Sequence, residues 1–580
     1  MAYAESTPLA EAAAGEGWAQ RWRHWDRSSL LWILAIAILA VLVLNPLLRL
    51  FVVSFQDEGG AFTLANYAAA YRNHRHLEAL GNSLVLGLSS GLLCLAFGVP
   101  LAWALSRTDM PAKPLVWVAI LGTFIIPPYL GAVAWILLAG PHAGWLNQAA
   151  HWLFGTRPFN IYSMPGLVLV VACYSFPYVV VLTKSAVDLV SSEMEDAANI
   201  LGASNLRTSL LNTLPLVLPS ILGAFILVFL EAIALFGSPA LLALPGRFQV
   251  VTTQLWQFFE FPPRVGVAAA YAMPLLLITI ALFWLQRRIT HRKGYVSLTG
   301  KGGERRAIAL GPWKWLALGY CLFVTTLSFF MPMVVVCQAA FAKAWGRGFA
   351  WDNLTLDNVR AIVFENALTR TATWHTFLYA ATASVIAVLL ALCIAYVVNR
   401  NLVNRHVGSV LSFLTMAPFV VPGIVLAIGF YAAYTRPPFL LYGTAWILIL
   451  AFTTRFLPIA FVNSNAAIRS INPELEEAVR TLGGSRLTAV RHVVLPMLKR
   501  SLAGAFILVF NPATRELSTA IFLYSINTQV LSVLLFDKSD EGNFEMLASI
   551  GLVLVVITVT LVLVGFKLLG RDFMMRRTVT

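Results

Sequence analysis

Apolar stretches of about 20 residues, the length that carries a helix across a bilayer, recur along the whole chain with short polar segments between them. Leu30–Leu48, Ser83–Leu105, Leu167–Leu182, Ala380–Val398 and Ile550–Phe566 are examples. The pattern predicts spans near 30–54, 80–106, 115–139, 164–186, 214–236, 266–286, 314–341, 372–398, 408–433, 441–465, 501–523 and 546–569. No large soluble domain fits between them. The polar stretch before the first span is too long for a secretory leader and lacks a small-residue cleavage site, so that span is expected to be retained.

The spans fall into two copies of one unit. Phe62-Thr63-Leu64-Ala65-Asn66-Tyr67 precedes the second span, and Leu354-Thr355-Leu356-Asp357-Asn358-Val359 precedes the eighth. A longer match joins Glu193–Pro215 to Glu474–Pro496, with Gly202-Ala203-Ser204 and Gly483-Gly484-Ser485 at the same internal spacing. Recurrence at a fixed offset marks a duplicated structural unit. Six spans per copy is an even number, so both copies enter the membrane from the same side and form parallel repeats. The fold class expected is an all-α polytopic membrane protein of about 12 transmembrane helices as two parallel six-helix repeats. Its segments are an N-terminal 1–29, a first half 30–290, a basic linker 291–312, a second half 313–570 and a tail 571–580.

The duplicated loop predicts a hairpin. Ser192 and Pro473 stand where a helix can start, followed by acids that suit its positive N-terminal dipole. A glycine breaks each helix after about two turns, a second short helix follows near Leu206–Asn212 or Leu487–Val494, and Leu-Pro turns the chain back into the membrane. Either copy alone would read as an amphipathic helix at the lipid surface. Two copies with identical spacing argue for a knob that docks in a partner.

Charge assigns the sides. Only 12% of residues are charged and 59% are hydrophobic, yet the net charge is +14. Most of the 41 Lys and Arg residues fall on one side once the N-terminus is placed inside, with dense groups at Arg287–Arg306 and Lys567–Arg577. This is the positive-inside bias; it explains the charge without nucleic acid and places both termini in the cytoplasm. The cysteines at 94, 173, 321, 337 and 393 lie in apolar spans without paired ligand spacing, as packing residues do.

Ionisable residues at membrane depth are costly and face a cavity or one another. Glu231, Arg455, Arg515 and Glu516, with Asn511 beside them, are the candidates for the translocation path. Glu231 and Glu516 are expected at similar places in the two halves, facing each other and a cationic or metal-bearing cargo. The alternative is that Glu516 pairs with Arg455 or Arg515 to fix packing. Asn511-Pro512 would interrupt its span. His142, His151, Tyr129, Tyr162 and Tyr442 could touch cargo or a delivery protein, and Asp537, Asp540, Glu541 and Glu545 read as a solvated loop.

At the hairpins the sequence resembles the binding-protein-dependent ATP-binding-cassette permeases. Their signature of Glu-Ala-Ala, Gly and Leu-Pro is carried by Asp196-Ala197-Ala198, Gly202 and Leu214-Pro215, and again by Glu477-Ala478-Val479, Gly483 and Leu495-Pro496. The departures are Asp196 for Glu and Val479 for Ala. The resemblance implies that Glu195 to Ala198 with Gly202 and Pro215, and Glu476 to Ala478 with Gly483 and Pro496, couple the chain to a separate ATPase, two copies of which use ATP and Mg. It also implies an extracytoplasmic substrate-binding protein as second partner and the bacterial inner membrane as location. No Gly-x-x-x-x-Gly-Lys-Ser/Thr loop occurs, Thr299-Gly300-Lys301-Gly302 lacking the first glycine and the hydroxyl residue, so no nucleotide or other cofactor is expected on this chain.

Ile126-Pro127-Pro128-Tyr129-Leu130-Gly131-Ala132, Ala139-Gly140-Pro141, Phe236–Leu242 and Arg515–Tyr524 resemble ferric-iron permeases, which implies ferric iron as cargo. Thiamine, polyamine, phosphonate and sulfate permeases share parts of the layout. A proton-coupled secondary carrier also has twelve spans in parallel halves, but leaves the hairpins unexplained. An enzyme would need a ligand or catalytic cluster, and no His-Glu-x-x-His pattern is present.

Overall fold

The computed structural model describes residues 28–190, 198, 200–292 and 307–569. Ten helices in it are long and apolar enough to cross a membrane: α1 (Trp32–Ser54), α2 (His74–Arg107), α5 (Met164–Leu189), α6 (Ser209–Ala234), α7 (Val265–Ile289), α8 (Trp313–Ala340), α9 (Ala367–Asn399), α12 (Ala445–Arg469), α13 (Arg486–Thr514) and α14, which spans within Phe544–Leu569. The third and ninth expected spans are instead broken. Helices α3 (Lys113–Ile125) and α4 (Pro128–Ala139) meet at 105°, and α10 (Arg405–Phe419) and α11 (Gly423–Tyr434) at 110°. Pro127-Pro128 and Pro422 interrupt the backbone ladder at these bends, which hydropathy alone reads as continuous. Among the described residues there is no β-strand, only isolated bridges.

Each repeat sets its register with the same hydrogen bonds. Asn66, in the first recurrent string, donates to the carbonyls of Val53, Ser54 and Gln56 at the end of α1. Asn358 does the same to Ala340 and Ala342 at the end of α8. Small residues then let the helices approach closely, as in membrane bundles generally. A Cβ on Gly87 or Gly91 of α2 would sit within 3.0 Å of the Ile233, Phe229 or Phe225 side chains of α6. In the second repeat Ala380, Ala383, Ala387 and Ala391 are fully buried along α9.

The two halves exchange their first helices. Helix α1 packs on α11 of the other half, with the Tyr434 hydroxyl bonded to the Val41 carbonyl, and α8 packs on α4. The broken spans are therefore held between a helix of their own half and the first helix of the other.

Candidate functional site

The second hairpin is fully described. Its helix runs Glu474–Thr481, with the Asn472 side chain accepting from Glu474 N and three glutamates in the first turn. Gly483 ends it at φ +84°, and Gly202 stands at φ +86° in the first copy; only glycine adopts this left-handed backbone without strain. Ser485 caps the next turn by accepting from Thr488 N at 3.1 Å. Leu-Pro does not turn the chain here. The helix continues from Arg486 to Thr514 through a wide turn at Val490–Val494, in which Leu495 N bonds Val490 O. That wider turn frees the backbone where Pro496 has no N–H to give. Pro215 follows the same kind of turn at Ser209–Thr213. Glu195, Asp196 and Ala197 lie outside the described residues, as do most of the N-terminal segment, the linker and the tail.

The two motif glutamates point apart. Glu477 and Ala478 are exposed. Glu476 is buried, its Oε1 accepting from Arg400 Nε at 2.7 Å and its Oε2 from the Tyr396 hydroxyl at 2.7 Å. Arg400 also donates to the Ile471 carbonyl. The hairpin is thus bonded to the end of α9. In the first half Arg107, at the end of α2, donates to the carbonyls of Val187 and Val190. The knob tips carry apolar side chains the sequence reading did not single out: Leu482 is 88% exposed and its repeat counterpart Leu201 87%. Large apolar groups left in water beside a positive-φ glycine in both copies are what a docking surface presents.

The second cluster lies within the helices, where the bends meet. Arg455 Nε is 3.0 Å from Glu516 Oε2. The other Glu516 oxygen accepts from Thr519 N and Oγ1 at 3.0 and 3.1 Å. The Arg455 guanidinium also fills the space beside the α10–α11 bend, where a Cβ on Gly423 would be 2.4 Å from it. Arg515 reaches the other half and donates to the Phe124 carbonyl in the last turn of α3. The cluster's charged side chains thus meet both broken spans. Glu231 lies beside Ser175 and Tyr178 and within electrostatic reach of Arg515 and Arg455, while its Oε2 is shielded and without a partner.

Glu231 and Glu516 are not counterparts. Leu227-Val228-Phe229 aligns with Leu508-Val509-Phe510, and Thr252 bonds the Leu235 carbonyl as Ser532 bonds that of Glu516. Leu235 therefore matches Glu516, and Glu231 matches Pro512. Nor does Asn511-Pro512 interrupt the helix, which ends at Thr514, two residues past the proline. Tyr129 is buried at the start of α4, whereas Tyr442 and His151 are exposed. Asp537 and Asp540 belong to the helix Leu531–Asp540 and Glu545 accepts from Trp345 N, so these acids are not a loose loop. Among the described residues no three His, Cys, Asp or Glu side chains converge as a metal site.

The model of one family, described as binding-protein-dependent transport system inner membrane component, matches twice, at residues 83–295 and 383–570. A protein named ferric transport system permease protein FbpB from Actinobacillus pleuropneumoniae is 24% identical over 91% of this chain and 76% of its own length. One from Haemophilus influenzae, named putative ferric transport system permease protein FbpB 1, is 27% identical over 86% of this chain and 78% of its own. A putative 2-aminoethylphosphonate transport system permease protein, PhnV of Salmonella paratyphi A, is 28% identical over 40% of this chain and 87% of its own.

Proposed function

Because the chain belongs to the family of binding-protein-dependent transport system inner membrane components, we propose that it is the two-in-one permease of an ATP-driven importer for ferric iron. Two copies of a separate ATPase, using ATP and Mg, dock on the hairpins at 192–213 and 473–494. An extracytoplasmic binding protein delivers the cargo at the opposite end. The chain sits in the bacterial inner membrane with both termini in the cytoplasm. The observation that carries the reading is the double family match, one to each repeat, each including one hairpin with the same glycine geometry. The ferric assignment rests on relatives of that name over most of the chain.

Nucleotide closes the ATPase pair and draws the hairpins together. Glu476 and Arg400 pass that displacement into α9, and the halves rock about the interface on which the bends of α3–α4 and α10–α11 meet. The Arg455–Glu516 pair and Glu231 line the path there, and a cargo that favours one of the two states biases the cycle. The PhnV relative supports phosphonate as the second reading of cargo, over less than half the chain. Proteoliposomes holding the chain, its ATPase and its binding protein test this with labelled ferric iron and labelled 2-aminoethylphosphonate. Uptake of iron alone supports the proposal, and uptake of phosphonate alone replaces the cargo while keeping the importer.

A further inference from the structure

Two short helices between the spans, Val251–Gln257 and Leu531–Asp540, are repeat counterparts whose register the hydrogen bonds fix. Val251 N bonds the Ser83 hydroxyl of α2 at 2.7 Å, and Leu531 N bonds the Thr376 hydroxyl of α9 at 2.7 Å. One residue further on, Thr252 and Ser532 bond the carbonyls of Leu235 and Glu516. Counting on from these anchors sets Trp256 against Phe536 as the same position in the two halves.

Those two rings touch, with centroids 5.8 Å apart in an edge-to-face arrangement at 78°. A side chain that meets its own counterpart lies on the axis relating the repeats, where parallel-repeat transporters carry their path. Phe236 stands 5.8 Å from Phe536 and 6.1 Å from Phe522, so residues of both halves surround the pair. Phe236, Phe522 and Phe536 are buried. The gap lined by Tyr129, Leu241, Leu517, Leu535, Phe536 and Leu547 is too narrow to hold a water molecule.

Depth places this cluster. Helix α9 runs from the far end, at Ala367, to the hairpin, where Arg400 holds Glu476. Thr376 lies nine residues inside that far end, roughly 14 Å along the helix. From Thr376 the helix Leu531–Asp540 leads back to Phe544, where α14 starts beside Trp345 of the far-end loop. Glu516 meets the inner end of that helix at Ser532. The rings stand between the charged cluster and the far end.

We propose that Trp256 and Phe536, with Phe236 and Phe522, form an apolar seal that closes the translocation path on the side away from the hairpins. A polar or ionic cargo would have to shed its hydration to pass such a constriction, which is how hydrophobic gates hold. Each half supplies one ring of the axial pair, so rocking the halves apart opens it with no separate lid. This inference rests on the importer reading for its path and its driving motion.

The test uses the complete permease–ATPase complex in liposomes with Trp256→Cys and Phe536→Cys, the five native cysteines replaced by alanine. Two contacting rings leave their Cβ atoms too far apart for a disulfide, so a short reducible bis-methanethiosulfonate joins the pair. The expected result is a loss of at least tenfold in transport on cross-linking, restored by reductant. Cross-linking should also fall severalfold when a hydrolysis-deficient ATPase is held with ATP. Undiminished transport by the cross-linked chain, or a yield indifferent to nucleotide, overturns the seal. Failure to bind any ATPase would instead overturn the importer reading. Should the cysteine pair not assemble, Trp256→Ala with Phe536→Ala serves, read as passive ion leak without ATP against Trp256→Phe. The alanine pair should leak severalfold faster, and an unchanged leak rejects the proposal.

Discussion

Replacing Glu476 by Gln should loosen the second hairpin from α9 while leaving its helix formed. Both partners of the Arg400–Glu476 pair are nearly shut off from solvent, at 10% and 9% side-chain exposure. Gln keeps an acceptor for one of Arg400 and Tyr396 but removes the charge, and a hydrogen bond to a charged group contributes about 1.5–3 kcal/mol. Removing the carboxylate outright, in Glu476→Ala, leaves Arg400 buried and unpaired at about 3–5 kcal/mol. At about 1.4 kcal/mol per tenfold change, the Gln variant should raise hydrogen exchange of the amides at 474–482 by roughly ten- to hundredfold. Exchange within α12 should barely change. In the assembled transporter the same variant should hydrolyse ATP with less cargo moved per ATP, since the hairpin then moves without α9. The exchanged pair Arg400→Glu with Glu476→Arg should recover part of both. Exchange rates at 474–482 within threefold of the parent protein would refute the argument that this pair anchors the hairpin.

Four other outcomes are expected. Leu482→Asp with Leu201→Asp should weaken ATPase association at least tenfold in a pull-down while the permease stays folded, and reversal of Glu477 together with Asp196 should uncouple ATPase activity from transport. Glu516→Ala should strand Arg455 and lower the yield of folded protein, whereas Glu516→Gln should fold and reduce uptake with ATPase association intact. Burial, then Asp540 and Glu541, raise the Asp537 carboxyl above its ordinary 3.8. A carboxyl raised in the folded state binds more protons there, so its contribution to stability is greatest at low pH and declines as pH rises from about 4 through the folded value. Asp537→Asn should flatten that decline in a series of thermal unfolding midpoints.

The periodicity of the chain exposed what repeats and what is long. The spans, the parallel duplication, the hairpins and their glycines all follow from runs and spacings within one segment. The bends did not, because both arms of 113–139 and 405–434 are apolar and an averaged hydropathy passes over the prolines between them. The Asn66 and Asn358 strings were visible as recurrences, but their work on the preceding helix end is a matter of where the chain folds back. Glu476 and Glu477 are adjacent and chemically alike; Arg400, 76 positions away at the end of α9, and Tyr396 within it decide which is buried. Glu231 and Glu516 stand one helical turn out of register, which the flanking Leu-Val-Phe strings set and the two acids by themselves conceal. Trp256 and Phe536 differ in residue type and lie in short helices that no span pattern marks, so their meeting required coordinates.

In the proposed function this chain converts ATP hydrolysis by a docked partner into import of a delivered cargo. The most direct test is the ATPase rate of the chain reconstituted in liposomes with its ATP-binding-cassette partner, measured with the binding protein absent, empty and loaded with ferric iron. The expected result is a stable complex whose rate rises only with the iron-loaded protein. No complex with any ATPase, together with uptake driven by a proton gradient alone, would contradict it.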